Sequence, residues 1–240
     1  MWSIRKSIYV RNLINFSRFV GEYRRDGSRL IKKIWKKLIL REASYRNLDD
    51  MIAFRKEKEI HISDLFEFKT KFGIPVIPCQ DLNDPIVVNG LKNQNPQLIV
   101  FTGGGLIRQD VLDHSGHGVM NCHMGALPNY RGMDVVEWPI LERNLDMIGI
   151  TVHFMNKGVD TGDILRIKRI QPKDSETILE LRDRIEPMMC QTIVETCIDY
   201  LEGKITRIPQ KISEGKQYFT MHPILQEKTK EVLKKVHYAK

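Results

Sequence analysis

Residues 117–132, His117-Gly118-Val119-Met120-Asn121-Cys122-His123-Met124-Gly125-Ala126-Leu127-Pro128-Asn129-Tyr130-Arg131-Gly132, carry the reading of this chain. The first four read as a short buried strand, in which alternate residues face the same way. Asn121 and His123 therefore point together, and Cys122 points away. An asparagine amide can donate to an oxygen that turns negative as a carbonyl is attacked. An imidazole beside it can add a hydrogen bond or shuttle the proton released by an attacking amine. A carboxylate comes 28 residues after Gly132, in Val159-Asp160-Thr161-Gly162. From there it can orient the imidazole, stabilise its charged form and position a water. Each piece also has an ordinary reading: Asn-x-His is a common pair, and Asp before Thr-Gly is a frequent turn.

Outward from this stretch, strands and helices alternate from residue 72, the pattern of an α/β fold with a mostly parallel open sheet and flanking helices. Strands are expected at 74–77, 98–102 and 118–122, with a pair at 148–154 and 164–170. Helices are expected at 85–93, 108–113, 134–143 and 175–201. Ser175 is the expected N-cap of the long helix, and Pro187 should bend or divide it. Short strands near 207–211 and 217–220 and a helix over 223–236 complete the tail. The glycines after Gln97-Leu98-Ile99-Val100-Phe101 let backbone approach a ligand closely at the carboxyl end of a strand, or serve only as a strand-to-helix turn.

Taken together, the motifs resemble the N10-formyltetrahydrofolate-dependent formyltransferases. Leu127-Pro128-Asn129-Tyr130-Arg131-Gly132 is similar to that family's Leu-Pro-x-Tyr-Arg-Gly loop. Gly149-Ile150-Thr151-Val152-His153-Phe154 is similar to its Gly-x-Thr-x-His strand, and Gly158-Val159-Asp160-Thr161-Gly162-Asp163-Ile164 to its Asp-x-Gly-x-Ile segment. The resemblance runs in unbroken order from about Phe72 to Phe219 and implies a Rossmann-like fold. It further implies that Asn121 and His123 polarise a formyl group and handle the amine proton, with Asp160 supporting His123. The co-substrate implied is N10-formyltetrahydrofolate, its pterin against the backbone of two loops. These are Gly103-Gly104-Gly105-Leu106-Ile107-Arg108 and Asn156-Lys157-Gly158-Val159. Tyr130, Arg131 and Gly132 become the substrate-side residues, with Arg131 facing the acceptor, ordering the loop or bracing it through backbone carbonyls. No metal is implied.

Composition adds limits. The chain has 240 residues, 42% of them hydrophobic, and a net charge of +8. Residues 1–41 hold 12 of the 38 Lys/Arg and 2 of the 30 Asp/Glu, so this segment carries +10 and the remainder −2. Within it Leu30, Ile31, Ile34, Trp35, Leu38 and Ile39 form an apolar stripe opposite Lys32, Lys33, Lys36 and Lys37. Such a helix packs on its own domain, lies on an anionic membrane surface or binds a partner. No apolar run is long enough to span a membrane, and polar residues break up any leader-like stretch at the front. Cys79, Cys122, Cys190 and Cys197 lack zinc or paired spacing and read as reduced thiols of a cytoplasmic protein.

The front departs from the family. Its members open with a strand, a glycine-bearing loop and a helix, whereas residues 1–70 here read as basic helices with Ser7-Ile8-Tyr9-Val10 the one candidate strand. The N-terminal unit is thus atypical or truncated, ahead of a catalytic core at 71–205 and a short strand-helix tail at 206–240. Unpaired sheet edges would favour a homo-oligomer. For the acceptor, Met124-Gly125 with Tyr130-Arg131-Gly132 resembles the enzymes that N-formylate amino-sugar nucleotides, and nucleic acid is not the expected partner. Methionyl-tRNA, glycinamide ribonucleotide, water (a formyltetrahydrofolate hydrolase) and a degenerate, non-catalytic relative are the alternatives.

Overall fold

The computed structural model describes residues 7–10, 53, 56–57, 65–103 and 105–238. The expected basic helices and the 30–39 stripe lie outside the described residues. Strand β1 (Ser7–Val10) runs parallel to β2 (Val76–Cys79), pairing Ile8 with Ile77. A short opening strand near Ile8 is therefore present, paired into a two-stranded sheet. Helix α1 (Leu65–Phe72) precedes β2. Helix α2 (Pro85–Gln94) starts at a proline, whose missing N–H costs nothing in a first turn, and ends at Asn95 in the left-handed conformation.

The central sheet has the order β3-β4-β6-β7, made of β3 (Ile99–Phe101), β4 (Val119–His123), β6 (Gly149–Phe154) and β7 (Ile164–Arg169). Helix α3 (Gln109–Leu112) links the first two, which pair in parallel. The other two pairings are antiparallel. This central sheet is thus mixed; among the described residues three of the five strand pairings are parallel, in keeping with the expected α/β fold. Connection length accounts for the β6–β7 pair: that link is too short for a crossover and closes a hairpin instead. Parallel pairing returns in the separate pair of β5 (Tyr130–Gly132) and β8 (Lys216–Tyr218). Strand β5 went unread in the sequence because its pairing partner lies in the tail. Around 207–211 there is only a single bridge, Ile164 to Ile208.

Helix α4 (Glu137–Leu141), the long α5 (Ile178–Leu201) and α6 (Pro223–Tyr238) pack on the sheet. Val136, Ile140, Ile148, Ile150, Leu181, Ile185 and Leu233 form one core cluster. Met120, Val152, Phe154, Leu165 and Ile193 form another. In β4 and β6 the alternation is clean. Met120, Ile150, Val152 and Phe154 enter the core, which leaves Asn121, His123, Thr151 and His153 to the other face. Two helix details differ from expectation. The N-cap of α5 is Thr177, because Thr177 and Glu180 close a reciprocal capping box, while Ser175 sits at φ 62°. The helix also runs through Pro187 undivided, giving up only the donor that residue lacks. Among the described residues, no helix is long and apolar enough to cross a membrane.

Candidate active site

The register of β4 against β6 builds the site. Asn121 lies opposite His153, and His123 opposite Thr151, so four polar side chains share one face of two adjacent strands. His123 and His153 are buried, with their rings edge to face at 6.3 Å. His123 Nε2 lies 3.0 Å from the carbonyl oxygen of Tyr130, an acceptor only, so Nε2 carries the proton and Nδ1 the lone pair. His153 has the opposite tautomer. Its Nδ1 donates to the Phe154 carbonyl at 2.8 Å, and its Nε2 accepts from Asn121 Nδ2 at 3.2 Å. One N–H of the Asn121 amide is thus spent on His153 and the other remains for a ligand.

Asp160 reaches this face from the loop after β6. Its Oδ2 stands 3.5 Å from His123 Nδ1, its Oδ1 3.6 Å from His153 Nε2, and the Gly132 N–H donates to Oδ2 at 2.9 Å. Burial pushes the Asp160 carboxyl up, but the two imidazoles beside it, His153 and His123, and the Gly132 N–H together outweigh it. The net effect holds the group below its ordinary range. Burial likewise dominates at His123 and lowers its pKa, against the opposing pull of Asp160 and the Tyr130 carbonyl. The resting pair is a carboxylate beside a neutral imidazole. Its only vacant nitrogen is Nδ1, and that atom faces the carboxylate.

The loop between His123 and β5 is held from below. Thr151, fully buried, accepts from Leu127 N–H at 3.1 Å and donates to the Gly125 carbonyl at 2.7 Å. Gly125 is required by proximity, since a Cβ there would stand 2.7 Å from His123 Nε2 and from a Val135 methyl. Gly132 has φ 96°, and a Cβ there would run into the Tyr218 carbonyl oxygen. Tyr130, Arg131 and Gly132, read from sequence as substrate-side, all engage the protein itself. The Tyr130 carbonyl orients His123, and its hydroxyl donates to Glu142 at 2.7 Å beside a cavity of about 260 Å³ shared with Tyr218. Arg131 is buried, donating to the carbonyls of Ile212 and Gly215, which is the bracing arrangement. Gly132 aims Asp160.

Of the expected folate loops, Gly103 and Gly105 have φ 111° and 105° and are exposed, while Gly104 lies outside the described residues. The Asn83 amide clamps the far end of this loop, donating to the Leu106 carbonyl at 2.7 Å and accepting from Arg108 N–H at 2.6 Å. Leu106 remains 78% exposed, and Ile107 packs on the cluster around Val87, Val88 and Leu91. In the second loop Asn156 accepts from Gly158 N–H and the Thr161 hydroxyl, leaving Lys157 and Val159 at the surface. Exposed, pre-formed backbone next to an apolar side chain suits a flat heterocycle held by main-chain groups, so these residues fit a pterin. Cys122 is chemically quiet, because burial and its neighbour Cys190 push the thiol up to about 12. Sequence reasoning quoted His153 and Thr151 only as part of a motif, with no role in the site, and passed over Asn83 and Gln210. The first two could have been found from their i, i+2 spacing in β6; the others have no local signal.

Comparison with known proteins places the chain in a family. The formyl transferase family model matches residues 50–197. Methionyl-tRNA formyltransferase from Alkaliphilus oremlandii is 34% identical over 154 residues, 64% of this chain and 48% of that protein. The same enzyme from Geobacter metallireducens is 35% identical over 58% of this chain and 44% of its own length. The chain thus spans about half the length of these curated relatives. Among solved structures, the formyltransferase PseJ from Anoxybacillus kamchatkensis was crystallised with UDP-4,6-dideoxy-4-formamido-L-AltNAc and tetrahydrofolate. It superposes with a TM-score of 0.53 at 25% identity, over 65% of this chain and 80% of that one. With the family model covering more than half its length, this chain belongs to the formyl transferase family.

Proposed function

We propose that the protein transfers a formyl group from N10-formyltetrahydrofolate to the amine of an amino-sugar nucleotide, with residues 71–205 as the catalytic core between the basic segment 1–70 and the tail 206–240. The observation that carries this reading is the pairing of Asn121 and His123 on one strand face with Asp160, 3.5 Å from His123 Nδ1. Bound there, the folate supplies an activated formyl carbon on a nitrogen able to leave. The spare N–H of Asn121 holds the formyl oxygen as it gains negative charge. His123 Nδ1 takes the proton of the attacking amine and returns it to the departing nitrogen, while Asp160 stabilises the imidazolium between the two transfers. The loops at 103–107 and 157–159 hold the pterin through their backbone.

The choice of a sugar acceptor is supported by the likeness to PseJ and by Met124-Gly125 after His123. A second acceptor, methionyl-tRNA, is favoured by the higher sequence identity to the curated enzymes. The test is a turnover assay with formyltetrahydrofolate and, separately, a panel of 4-amino-sugar nucleotides, methionyl-tRNA or no acceptor. Turnover dependent on an amino sugar supports the proposal, and turnover on methionyl-tRNA alone replaces the acceptor. Equal turnover without acceptor makes the protein a hydrolase. In the active assay, Asn121→Ala should lower kcat about a hundredfold or more, the scale for losing an oxyanion donor.

A further inference from the structure

Asp160 is a non-glycine residue at φ 52°. Such a conformation costs of order 1–3 kcal/mol and persists only where the surroundings over-determine it. The bracing comes from the tail. Gln210 Nε2 donates to the carbonyl of Asp160 at 3.0 Å and to that of Gly162 at 2.5 Å, so both N–H bonds of one amide are used on either side of Thr161. Because both partners are acceptors only, the orientation of the amide is settled, and it leaves Gln210 Oε1 buried with no partner. A buried acceptor left unmade costs about 1–3 kcal/mol. A residue that merely filled the junction would avoid that cost, since leucine has nearly the same volume. The other buried side-chain polar atom without a partner, among the described residues, is Nε of Arg131. Arg131 holds the backbone of the same tail at Ile212 and Gly215.

Two segments therefore meet at Asp160: Gly132 grips its carboxylate and Gln210 its backbone. We propose that Gln210 is a positioning residue, whose amide locks the 160–162 loop so that Asp160 Oδ2 stays beside His123 Nδ1. The idea rests on reading Asp160 and His123 as the reacting pair, but its test does not need turnover. Three groups face the His123 ring: Asp160, His153 and the Tyr130 carbonyl. Of these Asp160 raises its pKa most strongly. Withdrawing that carboxylate must let the imidazole titrate at still lower pH.

The experiment tracks the His123 imidazole by NMR titration in the full chain, with resonances assigned through His123→Gln and His153→Gln. Gln210→Leu keeps the volume and deletes both donors. It should move the His123 titration to lower pH, toward the value in Asp160→Asn and no further, and it should add nothing in the Asp160→Asn background. Where turnover is measurable, kcat should fall roughly 10–100-fold, the scale of a misplaced group, with KM for the formyl donor little changed. A folded Gln210→Leu variant whose His123 titrates as in the unmodified protein overturns the proposal. Should that variant not fold, Gln210→Met, unbranched, uncharged and without donors, should displace the titration in the same direction; an unchanged titration there overturns it equally. Absence of formyl transfer by the unmodified protein would refute the proposed function and leave the NMR result to decide on Gln210.

Discussion

Replacing Thr151 by valine should be far more damaging than its near-identical shape suggests. The hydroxyl is fully buried and makes two bonds, one from Leu127 N–H and one to the Gly125 carbonyl. Valine preserves the packing against the sheet but leaves both backbone groups inside with nothing to pair with. Each such orphan costs about 1–3 kcal/mol, so the variant should lose roughly 2–6 kcal/mol. In a chain of this size each kcal/mol lowers Tm by about 2–4 °C, which places the expected fall at roughly 4–24 °C. Thr151→Ser keeps the hydroxyl and gives up only a methyl, about 1 kcal/mol. Because the same loop carries the Tyr130 carbonyl that orients His123, kcat should fall in the same order, with serine above valine. The assay is calorimetric or denaturant unfolding of the three proteins, then turnover. A valine variant within about 0.5 kcal/mol of the parent, the ordinary spread of a surface substitution, would refute the reasoning. So would a serine variant as unstable as the valine one.

Three further outcomes are expected. Gly125→Ala drives a methyl against His123 Nε2 and Val135, an overpacking that should cost about 1–3 kcal/mol and displace the imidazole from Tyr130; unchanged kcat and Tm would show that the loop yields freely. Arg131→Ala should lower Tm and weaken both ligands alike, because its guanidinium is committed to Ile212 and Gly215; a rise in KM confined to the acceptor would return it to substrate contact. Acid should act through His123 and Asp160, both depressed in the folded protein. For each, the stabilisation is present above the unfolded value, 6.5 for His123 and 3.8 for Asp160, and is lost as pH falls through the lower folded value. Stability should therefore begin to fall below about pH 6.5, while kcat stays level until the depressed His123 pKa is reached; an acid limb of the rate profile at or above 6.5 would contradict this.

The sequence by itself determined the strand that carries Asn121 and His123, their shared face and the hairpin after it, because these depend on alternation and short connections that are local in the chain. It also pointed to the family, since the motifs between 121 and 164 lie in a fixed order. Local signals could not decide what Tyr130, Arg131 and Gly132 do. The sequence marks them as a polar loop fit for a ligand, but a partner 80 or more residues away, at Ile212 and Gly215, takes up the Arg131 guanidinium. The Thr177 capping box displaced Ser175 on a contest between two nearby hydroxyls that only the backbone geometry resolves. His153 entered the site through its register opposite Asn121, a matter of strand pairing rather than composition. The hold of Gln210 on Asp160 spans 50 residues. Contacts of that range exist only once the tail has closed over the sheet, which is why tertiary structure alone decided how the carboxylate is aimed.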